Sequence, residues 1–266
     1  MVDTINVAFT RQSEIFDDYE NGNEILKWMR SLTQRHLLRH LKEKDIILEL
    51  NSGTGIDAVF LATKGFRVHC TDISQGMIRK LVEKVNGNNL NNIISYQLLS
   101  FLELSKLEIK DIDYIFSNFG GLNCAPDISE VFNQFGKILR PGGRITLVIM
   151  PPVCPWELAL AIKGQFRSAF RRLRKNPALA NVEGVNFPVY YYSVTDIIKA
   201  LGPKFRIIEI QGLGSISPPP YMENFPRRYP HLYKKLTSLD EPLSHHFPFN
   251  RLADHFILTA EFQPKK

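Results

Sequence analysis

Between residues 45 and 150, short unbroken apolar runs alternate with stretches whose apolar positions recur every three or four residues. Ile46, Ile47 and Leu48 run together without polar alternation, which predicts a strand over 45–50 that is buried on both faces. A turn of small residues, 51–55, follows, and Ile56, Val59, Phe60 and Leu61 begin a helix. A second strand is expected over 66–70. Ser74 then caps a helix whose Met77, Ile78, Leu81, Val82 and Val85 share one face and which stops at Asn86-Gly87. Strands follow over 93–98 and 112–117. Asp127 opens a helix with Ile128, Val131, Phe132, Phe135, Ile138 and Leu139 on its apolar side. Arg140-Pro141-Gly142-Gly143 breaks that helix before a fifth strand over 144–150. Five strand-then-helix units in a row predict a doubly wound α/β fold, a parallel sheet with helices on both faces.

After Met150 the rhythm changes. Pro151-Pro152 ends the strand, and Leu158, Ile162, Phe166, Ala169, Phe170 and Leu173 predict one amphipathic helix over 157–175. Residues 182–192 read as a strand ending in three tyrosines. Ser193 or Thr195 caps a helix through Leu201, a strand spans 205–210, and a loop rich in Pro and aromatics runs over 211–251 before a last strand at 254–262. Upstream, 23–41 reads as a helix. The expected organisation is thus a covering segment over 1–44, a ligand-binding core over 45–150, a lid insertion over 151–192, and completion of the sheet over 193–266.

Composition adds little to this frame, since 44% hydrophobic and 23% charged residues are ordinary globular usage. Three cysteines form no disulfide framework, and Cys70 and Cys124, beside predicted strand ends, read as packed thiols in a reducing, cytoplasmic setting. No apolar stretch has the length of a membrane span, and the N-terminus has no signal-peptide pattern. The net charge of +6 permits an anionic partner. Arg167, Arg171, Arg172, Arg174 and Lys175 concentrate that charge locally. No feature specifies an oligomeric state.

The chemistry centres on Glu49-Leu50-Asn51-Ser52-Gly53-Thr54-Gly55. A strand ends beside an acid, and a glycine turn lets a ligand lie against bare backbone at a helix N-terminus. Gly53-x-Gly55-x-x-Ala58, with Asp72 after it, also matches a dinucleotide fingerprint. Glu49 argues against that ligand: it would repel a pyrophosphate and attract an ammonium.

The segment resembles motif I of the class I S-adenosylmethionine-dependent methyltransferases, small-molecule type. Asn51 stands where the family usually has glycine, and asparagine tolerates left-handed backbone. The resemblance implies S-adenosylmethionine as cofactor and a seven-stranded, mostly parallel sheet with one C-terminal antiparallel strand. It implies that Asp72 takes the ribose hydroxyls and that Ile73 and Met77 sandwich the adenine. Ser100, where an acid is usual, and Phe101 fall beside the adenine, and Asn118 beside the methionine moiety. Gly53 and Gly55 complete the turn, while Tyr19, in Phe16-Asp17-Asp18-Tyr19, is a candidate cover. Arg30 is a candidate partner for the methionine carboxylate.

Methyl transfer from a sulfonium is an in-line displacement that rests on alignment in an enclosed site. Asn123, Trp156, Tyr191 and Tyr221 are the candidate acceptor contacts, with the helical and aromatic insertions as lid. His245 and His246 are candidate bases because histidine titrates near neutrality. His36 and His40 have the i, i+4 spacing of metal ligands, but no carboxylate or cysteine completes the set, so no metal is expected. The expected activity is methylation of a small organic acceptor with an apolar or aromatic part. Three readings stand beside it: an RNA methyltransferase using a basic helix over 163–175, an NAD-dependent oxidoreductase, and a non-catalytic binding module.

Overall fold

The computed structural model describes residues 2–174 and 176–264. Seven strands form one sheet: β1 (Ile46–Leu50), β2 (Arg67–Asp72), β3 (Ile94–Leu98), β4 (Ile112–Ser117), β5 (Leu139–Ile149), β8 (Phe205–Leu213) and β9 (His255–Phe262). Their order is β3-β2-β1-β4-β5-β9-β8. Strands β1 to β5 pair in parallel, and β9 inserts antiparallel between β5 and β8. The sheet is therefore seven-stranded and mostly parallel with one antiparallel strand, as the sequence resemblance implied. The chain reverses between β1 and β4, and in open parallel sheets that crevice at the strand C-termini takes the ligand.

Local chemistry sets the helices. Helices α1 (Val2–Gln12) and α2 (Phe16–Gly22) precede α3 (Glu24–His40), which starts where the Asn23 side chain accepts from the amides of Ile25 and Leu26. Helix α4 (Ile56–Thr63) follows the glycine turn. Ser74 caps α5 (Gln75–Gly87), and Asp127 caps α6 (Ile128–Ile138). Leu48, Leu50, Ile115, Phe135, Leu147 and Leu258 pack the core on one face of the sheet. Ile47, Leu61, Leu81 and Phe116 pack it on the other.

Three expectations are corrected. The helix over 157–175 does not form as one piece. It is broken into α7 (Pro155–Leu158), α8 (Phe166–Ala169) and two 3₁₀ turns, Ala159–Lys163 and Arg171–Leu173. Gly164, at φ 74°, interrupts the helical backbone, and Arg172 is drawn inward by buried acids. The single strand over 182–192 is instead a hairpin, β6 (Ala178–Val182) and β7 (Val185–Val189). Its turn, Glu183-Gly184, has positive φ at both residues, the geometry that two-residue hairpin turns require. The loop over 211–251 carries helices: after α9 (Val194–Leu201) come α10 (Phe225–Arg228) and α11 (Pro230–Leu243).

The expectation that no carboxylate completes the His36 and His40 pair is also corrected, because folding brings Glu209 to it. Glu209, on β8, lies 2.6 Å from His40 Nε2 and 3.1 Å from His245 Nδ1. The hydrogen bond from His40 holds the Glu209 carboxyl down at about 2. Arg39 also binds Glu209, at 2.9 Å, so a fixed cation already sits at the cluster. His36 instead joins a buried polar chain across the sheet, Tyr114–Thr146–Thr259–His36–Gln211, with every link between 2.6 and 2.8 Å. Each buried polar group in that chain thereby finds a partner.

Candidate functional site

A cavity of about 280 Å³ opens at the C-terminal ends of β1, β2 and β4. Asn51, Gly53, Asp72, Ile73, Met77, Ser100, Phe101 and Asn118 line it, eight of the twelve cofactor residues expected from sequence. The hinge of this wall is the β1 turn. Asn51, Gly53 and Gly55 all have positive φ, so the backbone curls and presents its face to the cavity. A Cβ at Gly53 would reach only Met77 Sδ and Phe16 Cε1, at 3.9 and 4.0 Å, so the space against that backbone is open.

Asp72 is held at the end of β2. Its two carboxylate oxygens accept from the amides of Gly53 at 2.9 Å and Ser74 at 2.8 Å. Burial raises its pKa against the pull of those backbone bonds. Each oxygen keeps a free lone pair, so the group can still accept from two adjacent hydroxyls.

Asn51 ties the β1 turn to the β4 turn. Its Oδ1 accepts from Ser117 Oγ at 2.7 Å, and its Nδ2 donates to the Asn118 carbonyl at 3.1 Å. A Cβ at Gly121 would overlap the Asn51 side chain. The side chain added at position 51 is thus accommodated by the lack of one at 121.

Glu49 lies behind this wall, 2% exposed. Burial, and then Asp57, raise its pKa well above the ordinary carboxylate value. Its recorded hydrogen-bond partner is the Cys70 thiol, at 3.8 Å, and no cation stands within salt-bridge distance of it among the described residues. A buried carboxylate in that condition is short of a positive charge. The open glycine backbone, the diol-competent Asp72 and this uncompensated acid fit a ligand with an adenosine at one end and an ammonium at the other. S-adenosylmethionine has that shape.

Several expected site residues stand elsewhere. Arg30 is committed to Glu20 at 2.8 Å and to Asp57, and it stacks on Phe119 at 4.6 Å, so its fork is turned away from the cavity. It fastens α2, α3 and α4 to the β4 turn, where Asn118 Nδ2 also donates to Asp57 at 2.8 Å. Tyr19 is 42% exposed and off the wall; Phe16, three residues earlier, is the cover from α2. Gly55 sits beneath, against Leu81. Asn123 is structural: it accepts from the Met150 amide and donates to the carbonyls of Met150 and Tyr190.

The expected lid aromatics do not reach the cavity either. Trp156 donates to the Ile216 carbonyl at 2.9 Å and packs edge-on against Phe225. Tyr191 lies under Arg172, and Tyr221 is half exposed. His245 pairs with Glu209 on the outer strand β8, and neither it nor His246 lines the cavity, so neither is placed to act as a base.

Apart from Cys124, the far side of the cavity is built from residues the sequence did not single out. Ile5 and Phe9 of α1, Ala180, Phe187 and Val189 of the β6–β7 hairpin, with Cys124 and Met150, enclose it. The sequence signal for them was faint: the amphipathic pattern of 2–12 and the alternation around Phe187 and Val189. Cys124 is buried, which pushes its thiol up to about 12 and keeps it protonated.

A family model described as "Methyltransferase domain" matches residues 47–143. The chain is 33% identical over 156 residues to protein arginine N-methyltransferase 8-B of Danio rerio, covering 53% of this chain and 37% of that protein. It thus spans about a third of that relative's length. It is 27% identical over 202 residues to demethylmenaquinone methyltransferase of Corynebacterium glutamicum, covering 71% of this chain and 77% of that protein. Its fold is shared with 1,6-didemethyltoxoflavin-N1-methyltransferase of Burkholderia thailandensis, at a TM-score of 0.56 and 14% identity over 96% of this chain and 88% of that one. The match over residues 47–143 spans the glycine turn and Asp72, so this core is similar to a methyltransferase domain.

Proposed function

We propose that this protein methylates a small organic acceptor with an apolar or aromatic part. One observation carries the reading: the cavity wall that suits the cofactor runs directly into a chamber of Ile5, Phe9, Met150, Phe187 and Val189. Such a lining favours an apolar guest, with a few polar groups to orient it. Relatives named for demethylmenaquinone and 1,6-didemethyltoxoflavin support the same class of acceptor. The RNA reading is less favoured, because the basic stretch it used forms no continuous helix.

In this proposal Asp72 binds the ribose diol, Ile73 and Met77 hold the adenine with Phe101, and Glu49 neutralises the ammonium. Bound there, S-adenosylmethionine would supply a methyl group on a positively charged sulfur. The wall excludes water and orients the acceptor for in-line attack. Among the described lining residues, only Asp72 and Cys124 ionise; Asp72 faces the ribose and Cys124 keeps its proton. The acceptor therefore brings a nucleophile that needs no base from the wall, such as a neutral amine, an activated carbon or an oxygen already ionised.

Calorimetry with S-adenosylhomocysteine is the first test. Asp72→Ala should weaken binding by about 1.5–3 kcal/mol, the range for hydrogen bonds to a charged group. Binding of NADH with no response to S-adenosylhomocysteine would overturn the reading. Labelled methyl transfer into a metabolite extract and into cellular RNA tests the acceptor, with label in the apolar metabolite fraction expected.

A further inference from the structure

The broken segment after β5 exposes an unusual mixture of side chains. Ile162 is 89% exposed, Leu179 73% and Phe166 62%, and Phe170 and Leu173 are about half exposed. Large apolar side chains gathered on a surface mark an interaction site. Here they are interleaved with cations. Lys163, Arg167 and Arg174 are exposed, and none of them makes a salt bridge among the described residues, whereas Arg171 and Arg172 are engaged by Glu157. From Leu158 to Val182 the chain has no acidic residue. Arg167, Arg171 and Arg174 also border a shallow cleft of about 610 Å³ that Leu179 closes.

We propose that this face docks on the surface of an anionic lipid bilayer. The apolar side chains would enter the headgroup boundary while the basic ones meet lipid phosphates, the composition that interfacial segments share. The cleft between the arginines would take a headgroup phosphate. Aliphatic Ile162 and Leu179 favour a bilayer over RNA, since exposed aliphatic side chains gain nothing from stacking on bases. No helix among the described residues is long and apolar enough to cross a membrane, so the contact is one of lying on the surface. The hairpin links this face to the cavity, because β6 sets Leu179 outward and the next residue, Ala180, on the cavity wall. Docking would thus set the cavity beside the bilayer. The docking itself does not depend on which acceptor is methylated.

Vesicle sedimentation tests it, using the full chain without cofactor. Vesicles of phosphatidylcholine with phosphatidylglycerol should bind the protein, and vesicles of phosphatidylcholine alone should not. The Arg167→Gln/Arg174→Gln pair should weaken binding about 30-fold, at roughly fivefold per surface charge. Ile162→Ser/Leu179→Ser should weaken it about tenfold or more. Both pairs are solvent-exposed, so an unchanged circular dichroism spectrum will show that the fold survives. As a reading free of lost binding, Phe166→Trp should shift its emission to the blue on the anionic vesicles and be quenched by brominated acyl chains. Three results would overturn the proposal: no vesicle binding, binding indifferent to the apolar pair, or preferential capture by RNA in competition with the vesicles.

Discussion

Two groups of buried acids flank the strand C-termini, and they are balanced differently. Beside the cavity, Glu20, Asp57 and Glu49 share one arginine, Arg30. Beneath the segment after β5, Glu157 and Asp254 share two, Arg171 and Arg172, and His255 adds a third partner at 3.0 Å from Asp254. Burial raises Glu20 and Glu49 despite Arg30. Burial would also raise Asp254, but His255 and Arg172 outweigh it and hold that carboxyl far below its usual range. Both groups are strongly perturbed, so perturbation alone does not distinguish a ligand site from a structural one. The charge count does. The saturated group is a fastening, whereas the three acids around Arg30 outnumber their cation and suit a ligand that brings a positive charge.

The largest effect should come from breaking the saturated group. Arg172 donates to Glu157 at 2.9 Å and to Asp254 at 2.7 Å and is almost wholly buried. Arg172→Met leaves two buried carboxylates with fewer partners, which should cost about 3–5 kcal/mol of unfolding free energy in urea. The pH dependence has a definite sign. Asp254 titrates lower when folded than unfolded, so its stability is fully present above the ordinary aspartate pKa and is lost as pH falls below it. That acid-side loss should shrink in the variant. Affinity of the folded protein for S-adenosylhomocysteine should hold, because none of these residues lines the cavity. A parallel loss of affinity would erase the distinction between the two groups.

The smaller change at Glu49 should have opposite signs on two measurements. Its folded pKa is raised, so between the ordinary glutamate value and that raised one the native state binds more protons than the unfolded state. Stability from this group is therefore present at low pH and lost as pH rises. Glu49→Gln removes that loss and should raise the melting temperature of the free protein at neutral pH. The same change should weaken S-adenosylhomocysteine by about 1.5–3 kcal/mol, while adenosine, which lacks the ammonium, should bind almost as before. In the parent protein, S-adenosylhomocysteine affinity should rise with pH as Glu49 ionises. A variant that loses stability and binds both ligands less well would make Glu49 another fastening.

These groups also show what was legible in the sequence. The common placement of Gly53, Asp72, Ile73 and Met77 was readable because it depends on backbone conformation and on neighbours a few residues away. The succession of strands and helices over 45–150 was readable because apolar runs and turn residues set it locally. The pairing of Arg30 with Glu20 and Asp57 was not legible, because helix packing, not spacing along the chain, fixes it. Glu209, remote in sequence from His36 and His40, was invisible for the same reason. The stretch 157–175 has a helical apolar pattern, yet tertiary demand on Arg172 and the left-handed Gly164 override it. The aromatics after residue 210 were taken for a lid because composition cannot say which way a ring points.

The smallest effect concerns the turn that joins the two halves of the cofactor wall. Asn51 has a left-handed backbone, φ 47°, which costs a non-glycine residue about 1–2 kcal/mol. Its bonds to Ser117 and Asn118 return about 1 kcal/mol each. Asn51→Gly should therefore change stability little. Gly121→Ala should cost about 1–3 kcal/mol, because its new methyl overlaps the Asn51 side chain and the packed turn leaves that side chain little room to move. In the Asn51→Gly background the overlap is gone, so the same Gly121→Ala change should be tolerated. The double-mutant cycle, read by urea unfolding, should show a favourable coupling of about 1–3 kcal/mol. Additivity within about 0.3–0.5 kcal/mol would mean that the turn relaxes around Gly121 on its own. Asparagine at 51 would then be an isolated substitution, with no matching small residue across the wall.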